Sequence, residues 1–429
     1  MDHWLTDISP EIPQNYEIIN TDKYGLWKLF KMKIKDKELP YAVYVGLDSF
    51  PALASIRHLS SKGIPVIGIA QDRKDHNCKT NSVQEIIYTE KSSEELIFSL
   101  EKLGKKFTQK AVLITGEEPN VLVVSRYRER IEKYYHIIMP EKNVVETLVD
   151  KILFIEYAQR TGLPIPRSFI IKEDKDIYCA GDEITYPAIL KPTIRSPKWV
   201  EHTKKKAFKV ESKTELVNYY EDYKKFGSGF LVQEWIEGPD TNHYTCNLYF
   251  SRNSELLVTF ISKKIRQWPP ETGQGSIGIE ARNDFVLNEA ISLFSKLNWK
   301  GLAYLDMKFD NRLGKYLIVE PNILRPTGRS TTAEAGGVEL IYTMYCDAAN
   351  LTLPINRIQN YGNAKWVHLR RDFQAFLFLR KKGKLSFKEW TDSLKGKKSH
   401  SLFSLKDPLP FIFDIIRVVK LYIKDRNYV

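Results

Sequence analysis

Short, uninterrupted apolar runs alternating with helical-period segments open the ordered part of the chain. Residues 41–45 and 66–70 are such runs, and between them residues 52–62 carry a helical pattern that Gly63 closes. Strands apolar at every position suit a parallel sheet covered on both faces. So tight a strand–helix–strand spacing predicts a parallel, Rossmann-like α/β unit, continued by strands at 85–88 and 111–115. The turn after the first strand reads Gly46-Leu-Asp48, not GxGxxG, so a dinucleotide site is poorly supported. The unit is expected to shape a substrate pocket or to be purely structural.

From about residue 146 the pattern changes. A helix is predicted over 147–161, with Gly162 as terminator and Pro164 beyond it. Strands at 186–191, 207–210, 230–236, 244–250 and 255–262 mix with helices at 213–225 and 284–297. Ser212 and Glu215 form a capping box before the first of these helices. Antiparallel strands with few helices indicate α+β architecture. The predicted organisation is an irregular lead-in (1–40, with a short helix near 24–31), a Rossmann-like α/β domain (41–145), a mixed domain (146–350) and a basic helical C-terminal extension (351–429).

Residues 302–309 and 315–321 each read as a strand. They are joined by Asp310-Asn-Arg-Leu-Gly314, a turn with Asp and Asn at its start and Gly at its end. A hairpin folded about residue 313 sets Asp306 opposite Glu320, roughly 5 Å apart at Cβ. Asn322, two residues on, points to the same side. Two carboxylates and an amide oxygen make an all-oxygen cluster suited to Mg²⁺. Acids this close repel unless a cation joins them. The bland alternative is a solvated strand face on which the acids happen to align.

Length and composition bound the rest. At 429 residues, 43% hydrophobic and 12% aromatic, the chain has the make-up of a folded protein with two to three domains. Its four cysteines have no metal-ligand spacing and point to a reducing cytosol. The N-terminus lacks the pattern of a signal peptide, and no apolar run is long enough to span a bilayer. The net charge of +12 would hint at nucleic acid, but residues 355–429 hold 17 Lys and Arg against 6 acids, nearly the whole excess. That tail has no nucleic-acid recognition spacing, so no nucleic-acid partner is expected.

Lys191 ends an apolar strand beside a loop, where it can reach an anion as a point charge, although most such lysines are merely solvated. Lys151 sits in a first helical turn, against the dipole preference for acids there. In Val232-Gln-Glu-Trp-Ile-Glu-Gly-Pro-Asp240 an apolar strand runs into a Gly-Pro turn, with Gln233 and Asp240 as polar handles. An ordinary edge strand with ordinary turn residues is the alternative.

Read in order, Lys151, Ala188-Ile-Leu-Lys-Pro192, Val232 to Asp240, Leu305-Asp306 and Glu320-Pro-Asn322 resemble the ATP-grasp pattern over roughly 41–345. The resemblance implies ATP and Mg²⁺ (Mn²⁺ as the alternative ion) as cofactors. Lys151 and Lys191 would hold the phosphates and Gln233 the adenine amino group. Backbone groups of Glu234 and Ile236 would meet the ring, and Asp240 the ribose. Asp306, Glu320 and Asn322 would carry one or two Mg²⁺. The stretch Glu320-Pro-Asn-Ile-Leu-Arg-Pro-Thr-Gly-Arg-Ser330 is similar to the carboxylate–amine ligase branch near D-aspartate ligase, as are pieces at 383–390 and 407–411. This implies amide formation through an acyl-phosphate, with Arg325 over the transferring phosphate and small-molecule acid and amine substrates. The implied amine lies on a lipid- or nucleotide-linked cell-wall or surface-polysaccharide precursor. A loop salt bridge is the alternative for Arg325. An ATP-binding protein without ligation, or an ATP-grasp carboxylase or kinase, is the alternative for the whole.

Two departures stand out. The phosphate-covering loop, usually Gly/Ser-rich, is Gly-poor over 193–206, with Arg195, Lys198 and Lys204 to Lys206 as substitute charge or as a solvated face. Tyr304 stands where D-alanine–D-alanine ligases have a catalytic arginine. Arg266 is the candidate replacement, before a Gly-rich segment (268–275) that reads as an active-site loop. In the tail, helices are predicted over 367–382, after Ser386, and over 411–424. In the last, Asp414, Arg417, Lys420 and Lys424 form one polar stripe and leave a broad apolar face. The favoured destination of that face is the body of the protein or a second subunit, giving a homodimer. The other is an anionic membrane, giving a cytoplasmic protein peripheral to the inner membrane face.

Overall fold

The computed structural model describes residues 39–194, 196–203, 205–227, 229–270 and 273–424. The short helix expected near 24–31, and the bases Arg195 and Lys204, lie outside the described residues. Three sheets organise the chain. The first holds β1 (Ala42–Val45), β2 (Val66–Ala70), β3 (Glu85–Tyr88), β4 (Ala111–Thr115) and β5 (Tyr135–His136), all parallel in the order β3-β2-β1-β4-β5. Every residue of β1, β2 and β4 is buried, as continuous apolar strands under helices on both faces require.

The second sheet holds β6 (Ser168–Ile171), β7 (Ala188–Pro192), β8 (Phe208–Val210) and β9 (Phe230–Glu234) in the antiparallel order β6-β9-β7-β8. The third holds β10 (His243–Phe250), β11 (Leu256–Trp268), β12 (Gln274–Glu280), β13 (Gly301–Asp310), β14 (Lys315–Ile323), β15 (Lys365–Val367) and β16 (Lys398–His400). Its order is β14-β13-β10-β11-β12-β15-β16. The C-terminal segment, read as helical, therefore adds two strands to this sheet. β11 also runs six residues past the expected end, and the helix expected over 147–161 is two. Asp150, extended at ψ 123°, caps Lys151–Thr161 by accepting from the Ile152 and Leu153 N–H groups and so breaks it from Lys142–Val149. Gly162 closes the second helix in the left-handed conformation.

Two apolar cores bind the first sheet to the third. One joins Val43, Val45 and Ile67 to Leu248, Leu305 and Ile318, and the other joins Tyr44 and Leu59 to Tyr304 and Tyr345. A third core, with Leu190, Trp199, Phe230 and Val232, belongs to the four-stranded sheet and its helices. β13 serves both larger cores because side chains alternate along a strand. Ala303, Leu305 and Met307 enter one, and Leu302 and Tyr304 the other. The Leu302–Tyr304 face then runs on to Asp306, so buried packing continues directly into polar chemistry.

An ion-pair clamp also ties the first helix to the body. Glu339 accepts from Lys62 Nζ at 2.7 Å and lies 2.6 Å from His58 Nε2. Burial alone would raise this carboxyl, but the hydrogen bonds from His58 and Lys62 outweigh it and hold it at about 2. Since the folded value lies below the ordinary 4.5, the stabilisation is complete above that pH and is lost as pH falls through the folded value. Glu339→Gln is expected to cost about 1–3 kcal/mol near neutrality, with the difference from wild type closing near pH ~2. Urea midpoints at both pH values check this. An equal difference at both contradicts it.

Candidate active site

Asp306 pairs with Glu320 and Tyr304 with Asn322, so Asp306, Glu320 and Asn322 lie on one face of the hairpin. The route differs from the sequence reading. The turn pairs Asp310 with Lys315, and this register continues to Met307 opposite Ile318. Unbroken, it would set Asp306 against Val319 and turn Glu320 to the opposite face. A β-bulge at Val319 inserts one residue and brings Glu320 back.

The Asp306 Oδ1 atom is surrounded. The Thr245 hydroxyl donates to it from β10, Arg329 NH2 donates at 3.1 Å, and His243 Nε2 lies 3.4 Å away. Burial would raise the Asp306 carboxyl, but His243, Arg329 and Thr245 together hold it well below the usual carboxylate range. His243 is pushed down to about 3 by burial and by the charge of Lys264, so it is neutral. Lys264 Nζ donates to Gln267 Oε1 at 2.9 Å and lies 3.3 Å from His243 Nδ1. Burial and the Arg329 charge bring it to about 8.

The other side of the acid pair is looser. Asn322 Nδ2 lies 3.4 Å from both Asp306 Oδ2 and Glu320 Oε1, while Asn322 Oδ1 accepts from Arg325 NH2 at 2.7 Å. One amide shared between two acid oxygens at such length leaves a poorly neutralised pair, which fits a divalent cation. Asn322 would join as a third ligand by turning its oxygen from Arg325 to the acids. No group of three or more His, Cys, Asp or Glu suited to a metal occurs among the described residues. Two acids and an amide are the sparse set expected where phosphate and water complete a Mg²⁺ shell.

The four-stranded sheet carries the cations. Lys191 Nζ on β7 donates to Gln233 Oε1 on β9 at 3.1 Å, and Gln233 Nε2 donates to Ser168 Oγ on β6 at 2.8 Å. Burial, with the nearby charge of Lys151, brings Lys191 down to about 8 against the opposing pull of Glu320. That pull places Lys191 opposite the hairpin. Lys151 Nζ donates to the Thr193 carbonyl at 3.3 Å. Asp240 opens a 3₁₀ turn, and its charge also acts on Lys264. Two backbone groups near the candidate adenine edge are already engaged. The Glu234 N–H donates to the Arg167 carbonyl, and the Ile236 carbonyl accepts from Lys308 Nζ at 2.8 Å.

Arg266 is a correction. Its guanidinium is buried and holds Asp372 in two hydrogen bonds of 2.9 and 2.8 Å, with a third to Ser393 Oγ. It joins β11 to the helix Leu369–Lys381 and does not face Asp306. Tyr304, at the position in question, lies fully buried in the second core. The Gly-rich segment also differs from the loop expected, because from Gln274 onward it is β12. Its glycines make room for another arginine: a Cβ on Gly275 or Gly278 would lie 3.3 or 3.4 Å from Arg329 Cδ. The Gly-poor loop is partly a helix, Pro197–His202, anchored by the fully buried Trp199.

Arg325 NH2 spans Asn322 Oδ1 and Glu118 Oε1, the latter at 2.8 Å from the first α/β unit. The residues that sequence reasoning missed are Arg329, Lys264, Thr245 and His243. Arg329 stood inside the quoted 320–330 stretch without a role. Thr245 and His243 reach Asp306 because β10 pairs with β13, a long-range pairing no local pattern reveals.

No family model matches the chain. It is 24% identical over 236 residues to a D-aspartate ligase of Enterococcus faecium, covering 52% of this chain and 55% of that protein. It is 33% identical over 92 residues to a D-alanine–D-alanine ligase of Pseudomonas entomophila, covering 21% of this chain and 27% of that one. The match thus spans about half of one relative and about a quarter of the other. Among solved structures, N5-carboxyaminoimidazole synthetase of Staphylococcus aureus superposes with a TM-score of 0.58 at 14% identity, over 73% of this chain and 78% of that one. The biotin carboxylase domain of Hydrogenobacter thermophilus 2-oxoglutarate carboxylase, solved with MgADP and bicarbonate, gives 0.55 at 17% identity, over 74% and 71%. Likeness in fold and in sequence agree on the ATP-grasp group, and within it the chain resembles D-aspartate ligase.

Proposed function

We propose that the chain is an ATP- and Mg²⁺-dependent carboxylate–amine ligase that acts through an acyl-phosphate. The observation that carries this reading is the meeting of two sheets. Lys191, lowered by burial, faces Glu320 across a cleft whose other wall is Asp306, Glu320 and Asn322. A cluster of cations opposite paired acids is what a metal–triphosphate needs. Lys151 and Lys191 would bind phosphate oxygens, and Asp306, Glu320 and Asn322 the metal, whose chemistry is to neutralise charge on the phosphates. Gln233 would meet the adenine amino group, exchanging its present bond to Lys191. Backbone groups of Glu234 and Ile236 would flank the ring, and Asp240 would accept from the ribose.

The first step breaks the β–γ phosphoanhydride bond of ATP and forms a P–O bond to a substrate carboxylate oxygen, releasing ADP. A neutral amine then attacks the acyl carbon. The C–N bond forms, the C–O bond to phosphate breaks, inorganic phosphate leaves and the amine loses a proton. Carboxylates resist attack because their charge repels nucleophiles, so fixed positive charge and positioning carry the catalysis. Arg325 and Arg329 supply that charge at the edge of the acid pair.

The substrate class we infer is an amino acid or similar acid joined to an amine on a cell-wall or surface-polysaccharide precursor. It is supported by the likeness to D-aspartate ligase over about half that protein's length. The test is ADP and phosphate release with amino acids, alone and paired with amine acceptors. Release that requires both partners supports the ligase. Release with the acid alone points to a kinase, and nucleotide binding without release points to a binding protein.

A further inference from the structure

The C-terminal helix Leu409–Lys424 sits on the body with its polarity reversed. Its acid Asp414 is turned inward and 2% exposed, and its carboxylate binds Arg370 Nε at 3.2 Å and Arg417 NH2 at 2.5 Å. The same helix packs on the turn His76–Lys79. Ile412, Phe413, Ile415, Ile416, Val419 and Ile423 point outward, each 40% exposed or more. The body therefore takes the stripe that contains Asp414, not the broad apolar face, which overturns the body as that face's destination. Burying apolar side chains is the usual reason for docking a helix, so a face left open this way needs another cover.

Charge decides what the cover is. Lys79 Nζ stands 5.4 Å over the ring of Phe413, and Lys406 and Lys420 are exposed along the helix or just before it. The one acid of the helix is already held by two arginines. A second copy joined through this face would set the same cationic rim against itself, which repels. An anionic surface would be attracted to the rim and would accept the apolar row. Among the described residues no helix is long and apolar enough to cross a membrane. We infer that this helix rests on an anionic lipid surface, its apolar row in the headgroup boundary and Lys79, Lys406 and Lys420 against lipid phosphates. The inference rests on the helix alone and stands or falls apart from the ligase reading.

The test is flotation of the full chain, without nucleotide, on phosphatidylcholine vesicles with or without about one third phosphatidylglycerol. Binding to the anionic vesicles is expected to exceed binding to the neutral ones by about tenfold, and to weaken in high salt. Ile415→Glu combined with Val419→Glu is expected to lower anionic binding by about tenfold, with the thermal midpoint and ATP turnover unchanged, since both side chains are already exposed. Lys79→Glu with Lys420→Glu is expected to remove the preference for anionic lipid. Equal binding to both vesicle types overturns the inference, as does full binding by the Ile415/Val419 variant. So does a chain that does not float, and if it sediments as a dimer that this variant dissociates, a second copy covers the face.

Discussion

Glu320→Gln is expected to lower ADP formation by about 10²–10³-fold while leaving the fold intact, because its carboxylate works on the bound nucleotide and not on the protein. The contacts of the two acids separate their roles. Glu320 is exposed on the cleft side and meets the Asn322 amide at 3.4 Å, whereas Asp306 is engaged by Thr245, Arg329, His243 and Asn322. Asp306→Ala is therefore expected to lose the same activity and also to destabilise the chain by about 3–5 kcal/mol, since it strands the buried Arg329 charge. A coupled assay for ADP and a denaturant midpoint read the two effects. Near wild-type turnover by Glu320→Gln at saturating Mg²⁺ would sink the metal assignment. A silent effect of Asp306→Ala on stability would remove Asp306 from the centre of the cluster.

How far the sequence reached is clearest at this hairpin. The alternation of residues 302–309, the turn 310–314 and the acids were legible because each is local. The bulge at Val319 was not, since a bulge leaves no mark in a period-two pattern until the register on both sides of it is known. The strands of the first sheet were equally legible, as β1, β2 and β4 are apolar throughout. Arg266 misled because a basic residue near a Gly-rich segment looks like site chemistry. Its partner Asp372 lies 106 residues away and is fully buried, so nothing local announces the pair. Trp199 shows the converse. A run of bases around it reads as a solvated loop, yet its indole fills the third core and donates to the Lys205 carbonyl, turning the loop into a short helix. Tertiary pairing decided each of these positions.

ATP affinity is expected to fall as pH rises above about 8, and Lys191 is the cause. Burial holds its ammonium at about 8 in the free protein, below the ordinary 10.5. A bound triphosphate favours the charged form and raises that value. Binding is then strongest where the lysine is protonated before and after, below about pH 8. Above it each bound nucleotide must take up a proton, and affinity drops by up to about tenfold per pH unit until the bound value is reached. Lys191→Met is expected to bind ATP about 100-fold more weakly near neutrality, an ion pair's worth at a buried site, and to lose the pH slope. Lys191→Arg keeps its charge across this range and isolates the cause, because any slope left in that variant belongs to Lys264, the other cleft lysine at about 8. Calorimetric titration with a non-hydrolysable ATP analogue between about pH 7 and 9.5 measures all three. A flat wild-type profile would mean that the Lys191 ammonium does not meet the phosphates, and the cation side of the cleft would need a different owner.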